Sequence, residues 1–182
     1  QLVDESGLGI KTVCLGTHPS ALPKRTLREE PYDFVCEGEG PVTIFELLKV
    51  LKAGTEEYEK VPGLWYQKGG AVGFGPKAEL IQDLDRDLGG QAWELLDMGR
   101  YRAHNWHCFD SINDRKPYAS LQTSLGCPYK CSFCCINTPF GGPGIRYWSP
   151  ELVVGQIDIL VNKYSIRNIK IPDEMFVLNE QH

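Results

Sequence analysis

Short apolar runs alternate with amphipathic stretches of helical spacing over residues 1–54. Residues 11–15 (KTVCL) have the apolar, β-branched character of a buried strand, and Gly16-Thr17-His18-Pro19 after them reads as a loop. Residues 22–29 predict a short helix, with Pro23 in the first turn, where a missing N–H costs nothing. Residues 32–36 (YDFVC) predict the next strand. Gly38-Glu39-Gly40 then turns the chain into a helix that begins near Pro41. Ile44, Leu47, Leu48 and Leu51 recur at helical spacing and predict its buried face, and Gly54 stops it. Strand, helix, strand, helix predicts an α/β fold with a parallel sheet.

The pattern changes over residues 55–117. Two alternating runs, 63–67 and 71–74, flank Lys68-Gly69-Gly70 and predict a β-hairpin. A polar, acidic run (IQDLDRDLGGQ) and an aromatic segment over 93–109 follow, and together they read as an inter-domain connection folded onto its neighbours. From residue 118 the α/β alternation resumes. Residues 119–124 predict a strand, and Ser149-Pro150-Glu151 is a strong helix start: a serine cap, proline at the first position, and a carboxylate near the positive end of the dipole. Leu152, Val153, Gln156, Ile157, Leu160 and Val161 continue that helix, and residues 168–171 (NIKI) predict the strand after it. The result is one β-α-β unit whose first strand feeds a cysteine-rich loop. Ligands of parallel α/β folds bind at that strand edge.

Charge narrows the function classes. Nineteen basic and 24 acidic residues leave a net charge of −5, so there is no general attraction to a phosphate backbone or an acidic membrane surface. No apolar run reaches the length of a membrane span, and the N-terminal residues lack the basic and apolar regions of a signal peptide. A cytoplasmic protein that binds neither nucleic acid nor membrane is expected. Seven cysteines are an odd number, and four of them crowd into residues 127–135, which suits a metal site better than a disulfide framework.

The run is Gly126-Cys127-Pro128-Tyr129-Lys130-Cys131-Ser132-Phe133-Cys134-Cys135. Gly126 and Pro128 favour a turning backbone on which Cys127, Cys131 and Cys134 can act together. Soft thiolates select zinc or iron–sulfur clusters. Structural zinc usually takes four ligands in two separated pairs, whereas three thiolates spaced C-x3-C-x2-C fit a cubane with one iron lacking a protein ligand. Zinc and plain structural thiols remain the alternatives. Cys135 adjoins Cys134 too closely to be a fourth ligand and reads as a small buried side chain, as do Cys14 and Cys36. His104, His107 and Cys108 could suggest a second metal site, but isolated histidines are more often structural hydrogen-bonding groups.

C-x3-C-x2-C with an aromatic residue just before the third cysteine resembles the signature of the radical S-adenosylmethionine (SAM) superfamily, with Phe133 in the aromatic position. The resemblance implies a [4Fe–4S] cluster on Cys127, Cys131 and Cys134, with SAM on the fourth iron. Reductive cleavage of SAM then gives a 5′-deoxyadenosyl radical that takes hydrogen from a small-molecule substrate. A one-electron donor such as flavodoxin or ferredoxin is implied as a partner. At the end of the second strand, Pro172-Asp173-Glu174 is similar to the acidic pattern of cobalamin-binding members, which implies Asp173 and Glu174 near the SAM ammonium; a solvated turn is the plain alternative.

Residues 11–52 resemble the second half of a cobalamin-binding Rossmann-like domain. The matching segments are Gly16-Thr17-His18-Pro19 and Asp33-Phe34-Val35-Cys36-Glu37-Gly38-Glu39-Gly40, and the resemblance implies Gly16, Thr17, His18, Gly38, Glu39 and Gly40 as cobalamin contacts. Thr17 and Pro41 depart from the family pattern. Asp-x-His-x-x-Gly is absent, since Gly16 and Ala21 stand at its ends, so His18 is expected near the cofactor and not on cobalt.

The expected organisation is therefore a partial cobalamin domain (1–54), a hairpin and linker (55–117) and the start of a partial radical SAM (β/α) barrel (118–182). On this reading the chain is a fragment that folds poorly alone. The implied enzyme transfers methyl groups to unactivated carbon or performs oxidative cyclisation. The alternatives are a radical SAM enzyme without functional cobalamin binding and a non-catalytic zinc module.

Overall fold

A computed structural model of the chain describes residues 7–104, 116–176 and 178. The chain forms two compact units, Gln1–Leu80 with Tyr129–Gly144, and Ile81–Pro128 with Ile145–His182.

In the first unit, β1 (Val13–Cys14) and β2 (Phe34–Cys36) pair in parallel, with Val13 opposite Phe34 and Cys14 opposite Val35. Their crossover holds the expected helix, α2 (Pro23–Glu29), with Pro23 in its first turn. The residues read as a loop before it instead form a further helical turn, α1 (Thr17–Ala21). Gly16, at φ 123°, swings the chain out of β1, and its carbonyl accepts the Ser20 N–H at 3.1 Å. The hairpin forms as predicted from β3 (Leu64–Lys68) and β4 (Ala71–Phe74), with Gly69 and Gly70 supplying the two positive φ angles of its turn. It does not stand apart from the strands before it. β3 pairs antiparallel with β2, setting Phe34 opposite Tyr66 and Cys36 opposite Leu64. The sheet is mixed, in the order β1-β2-β3-β4, where the local pattern predicted a parallel one.

Helix α3 (Pro41–Ala53) covers this sheet and ends at Gly54, whose φ of 67° is the left-handed conformation of a helix stop. Phe34, Leu47, Val61, Leu64 and Tyr66 form the core, flanked by Val13, Val50, Leu51 and Tyr58. The Tyr58 ring meets Phe34 edge-on at 5.0 Å. Thr43 and Leu47 are the buried residues of α3, whereas Leu48, expected on that face, is 57% exposed. The buried stripe runs through 43, 47 and 50–51, so Leu47 and Leu51 lie on it as predicted and Leu48 does not.

In the second unit, β5 (Tyr118–Ser120) and β8 (Asn168–Lys170) pair in parallel, and α5 (Pro150–Tyr164) makes the crossover. The α5 start is the predicted one: Ser149 Oγ accepts the Leu152 N–H at 3.2 Å, and Pro150 follows it. The strand predicted over 119–124 is broken in two. β5 ends at Ser120, and the chain re-enters a separate two-stranded sheet as β6 (Ser124–Cys127), paired with β7 (Gly144–Tyr147). Trp93, Met98, Ala119, Leu121, Leu160 and Ile166 form the core of this unit. The acidic run read as a connection is tied into it by side chains. Asp83 caps the short helix α4 (Leu84–Asp87), Asp85 Oδ1 accepts the Ser149 N–H at 2.9 Å, and the Gly89 carbonyl accepts the Trp148 indole N–H at 3.1 Å. Gln156 Oε1 takes both the Gln91 N–H and the Trp93 indole N–H. Among the described residues, no helix is long and apolar enough to cross a membrane.

Candidate functional site

Two glycine turns lie at the C-terminal ends of β1 and β2, the edge where parallel α/β sheets receive ligands. At the end of β1, Gly16 turns into α1, which carries Thr17 and an exposed His18. At the end of β2, Gly38 (φ 113°) and Gly40 (φ 102°) flank the half-buried Glu39 and lead into α3. All three glycines have φ values that favour glycine, so the turns themselves explain the residue type. What these turns offer a ligand is bare backbone: a Cβ on Gly16 would meet nothing within 4 Å. The two loops are joined, because Ser20 Oγ accepts the Gly38 N–H at 3.1 Å. The exit of β2 is also held from the hairpin. Glu37 donates its N–H to the Gly63 carbonyl at 2.8 Å, and its carboxylate accepts the Trp65 indole N–H at 2.6 Å.

The segment Tyr129–Gly144 folds with this same unit. Its Thr138–Phe140 helical turn packs beside α1, and a Cβ on Gly38 would lie 3.8 Å from the Pro139 carbonyl oxygen. Cys131 and Cys134 are exposed on this segment, on a turn closed by the Cys134 N–H on the Cys131 carbonyl at 3.1 Å. Cys127 is the last residue of β6 in the second unit and is half-buried. None of the six described cysteines is in a disulfide. Phe133 is 91% exposed. Among the described residues, no three His, Cys, Asp or Glu side chains gather as around one metal ion. A cubane asks for less convergence, because each thiolate binds its own iron. The chemistry of the donor set fits such a cluster: three soft thiolates within eight consecutive residues, two of them open to solvent.

Cys135 was expected to be buried and is exposed, like the whole of the run 128–135 that carries it. Cys36 is fully buried, and burial pushes its thiol pKa up, which makes it an inert core residue. His104 is exposed; Trp106, His107 and Cys108 lie outside the described residues.

Asp173 is committed to its own chain. Its Oδ1 accepts the Thr123 N–H at 2.9 Å, and its Oδ2 accepts the hydroxyls of Thr123 at 2.6 Å and Ser124 at 2.7 Å. Glu174 beside it is exposed. Ser20, Glu37, Thr123 and Ser124 were not singled out by sequence reasoning. Glu37, Thr123 and Ser124 carry one sequence signal, a place within two residues of a β-strand end, whereas Ser20, inside α1, carries none.

Joined glycine turns at a parallel-strand edge, with a cysteine segment folded beside them, define the class: an α/β unit carrying a candidate ligand edge and a candidate metal loop. The relatives make the class particular. No family model matches the chain. An uncharacterized methyltransferase of Pyrococcus horikoshii is 34% identical over 170 residues, covering 91% of this chain and 34% of that protein. The anaerobic magnesium-protoporphyrin IX monomethyl ester cyclase of Rubrivivax gelatinosus is 28% identical over 178 residues, covering 96% of this chain and 30% of the cyclase. The cobalamin-dependent radical SAM methyltransferase TokK of Streptomyces tokunonensis is 29% identical over 137 residues, covering 74% of this chain and 19% of TokK. Among solved structures, the cobalamin-dependent SAM radical enzyme OxsB with aqua-cobalamin bound has a TM-score of 0.59 at 21% identity, covering 94% of this chain and 22% of that one. The homologues and structural neighbours of this chain are thus cobalamin-dependent radical SAM methyltransferases and related cyclases, and the chain is consistent with that group. It spans about a third of the length of the first two of these relatives.

Proposed function

We propose that this chain is the part of a cobalamin-dependent radical SAM enzyme that holds a [4Fe–4S] cluster, SAM and one side of cobalamin. The observation that carries the reading is the fold of the first unit: the segment bearing Cys131 and Cys134 packs beside the Gly16 and Gly38 turns. The motif and the named relatives support the same assignment. Cys127, Cys131 and Cys134 supply the three thiolates, and Phe133 follows the SAM side of that loop. Gly16, Thr17, His18, Gly38, Glu39 and Gly40 face cobalamin, with the glycines giving close backbone approach. Of the two acidic residues after β8, the exposed Glu174 is the one open to the SAM ammonium. When bound, the cluster supplies one-electron reduction of SAM and the cobalamin a methyl carrier. The reaction is methyl transfer to an unactivated carbon, or oxidative cyclisation, on a small-molecule substrate. A cytoplasmic one-electron donor of the flavodoxin or ferredoxin kind feeds the cluster.

Anaerobic reconstitution of the intact protein, followed by EPR of the reduced cluster with and without SAM, tests this. A [4Fe–4S] signal that changes on adding SAM and is lost in Cys127→Ala is expected. Bound zinc, or a cluster indifferent to SAM, would refute it.

A further inference from the structure

Strand β5 pairs with β8 up to the Leu121 N–H, which the Lys170 carbonyl accepts at 2.9 Å. β8 stops there and Pro172 follows, so the next N–H on the β5 side, that of Thr123, finds no continuing strand. The Asp173 carboxylate takes that place. It accepts the Thr123 N–H, the Thr123 hydroxyl and the Ser124 hydroxyl, all within 2.9 Å. Thr123 is 1% exposed and Ser124 4% exposed, so these are sheltered, charge-assisted hydrogen bonds. The Thr123 carbonyl meanwhile accepts the Trp148 N–H at 3.1 Å, one residue ahead of the Ser149 cap of α5. The break between β5 and β6 is therefore gripped from both sides, and β6 runs directly from it to Cys127.

We infer that Asp173 is a positioning residue: by pinning Thr123 and Ser124 it sets the direction of β6 and hence the place from which Cys127 is presented. This rests on the reading of Cys127 as a cluster ligand, and it gives Asp173 a task other than meeting SAM. Three donors converge on one carboxylate whose two oxygens are both engaged. Support of this kind, one step removed from a ligand, is how metal sites hold their ligands in register.

The test compares Asp173→Ala, Asp173→Asn, Thr123→Val, Ser124→Ala and Glu174→Gln in the intact protein. In the metal-free protein, amide hydrogen exchange at residues 123–127 is expected to quicken about tenfold in Asp173→Ala and in Thr123→Val, with no change in Glu174→Gln. After reconstitution, iron retention against a chelator is expected to weaken about tenfold in Asp173→Ala, as for other outer partners of metal ligands. The g-values of the reduced cluster should shift with it. Asp173→Asn keeps one carbonyl acceptor for the Thr123 N–H and should restore part of both effects, which general destabilisation would not. Combining Thr123→Val with Asp173→Ala should add little to Asp173→Ala alone. Wild-type exchange and iron retention in Asp173→Ala, with only SAM binding weakened, would overturn the inference. Should Asp173→Ala fail to fold, Thr123→Val and Ser124→Ala carry the same comparison. If no variant or parent takes up a cluster, the proposed function fails while the exchange data still decide the clamp.

Discussion

Asp33 ties β1 to β2 one residue ahead of their first paired positions. Its Oδ2 accepts the Thr12 N–H and the Thr12 hydroxyl, both at 2.8 Å, and its Oδ1 meets the Lys11 ammonium at 2.8 Å. The strands it joins are only two and three residues long, so its bonds are a large share of what fixes their register. Asp33→Ala removes all three interactions. Lys11 is more than half exposed, so its share is about 0.5 kcal/mol. The two Thr12 bonds end on a carboxylate that is only partly buried and contribute about 1 kcal/mol each, the central value for a protein hydrogen bond. A loss of about 2–3 kcal/mol is expected at neutral pH.

The pH dependence gives this prediction its sharpest form. Burial raises the Asp33 pKa, but the Lys11 ammonium and the Thr12 N–H and hydroxyl outweigh it, so the carboxyl sits below the usual range. A depressed folded-state pKa stabilises fully above the unfolded pKa, and that stability is lost as pH falls through the folded value. The gap between parent and Asp33→Ala should hold from neutral pH down to about 4 and close below it. Urea denaturation followed by far-ultraviolet circular dichroism at several pH values measures it. A gap that stays constant from pH about 7 to about 2 would show that the carboxylate charge is not what joins the strands.

Two further substitutions probe the cores. Leu160 is fully buried among Trp93, Met98, Leu121 and Ile166, so Leu160→Ala should cost about 3 kcal/mol by chemical denaturation; a loss under about 1 kcal/mol would mean that this cluster is not the core of its unit. A Cβ on Gly75 would stand 1.9 Å from the Val61 carbonyl oxygen, which is backbone and cannot rotate away, so Gly75→Ala should lower the melting temperature by about 5 °C or more, and an unchanged melt would contradict the packing at the end of β4.

Local patterns carried the elements and missed their partners. Ser149 capping α5, Gly69-Gly70 turning the hairpin and Gly54 stopping α3 all depend on a few adjacent residues, and all are where the pattern predicts them. The pairing of β3 with β2 links positions about 30 residues apart, and no local pattern records it. The break in the 119–124 strand has the same origin. Residues 119–124 read as one strand, but the partner ends at Lys170 and a carboxylate from position 173 takes over. Leu48 was placed wrongly because α3 also carries apolar residues away from the sheet, Phe45 and Leu48 among them, and only the sheet beneath selects the buried face. At the candidate site, the glycine turns and the cysteine run were legible as residue types. The contacts around them were not: Ser20 and Glu37 act across the fold, and Asp173, legible as a candidate residue, was not legible as the partner of Thr123 and Ser124.

The mixed sheet gives the hairpin a role that a parallel sheet would not provide. With Leu64 opposite Cys36, the residue before Leu64 falls beside the exit of β2. That residue is Gly63, at φ 69°, and its carbonyl accepts the Glu37 N–H. A Cβ there would lie 2.7 Å from the Glu37 carbonyl oxygen, so only glycine lets the two backbones meet this closely. Two residues after Gly63, Trp65 reaches back to the Glu37 carboxylate. Glu37 is thus fixed by backbone and side chain together, and its neighbour Gly38 is fixed by Ser20 from the crossover side. A turn held by both the hairpin and the crossover is fixed in shape by its own chain, which would lower the ordering cost of the cobalamin binding proposed for it. The antiparallel strand is what makes the second hold possible, so the departure from the predicted parallel sheet falls where a preorganised turn needs it.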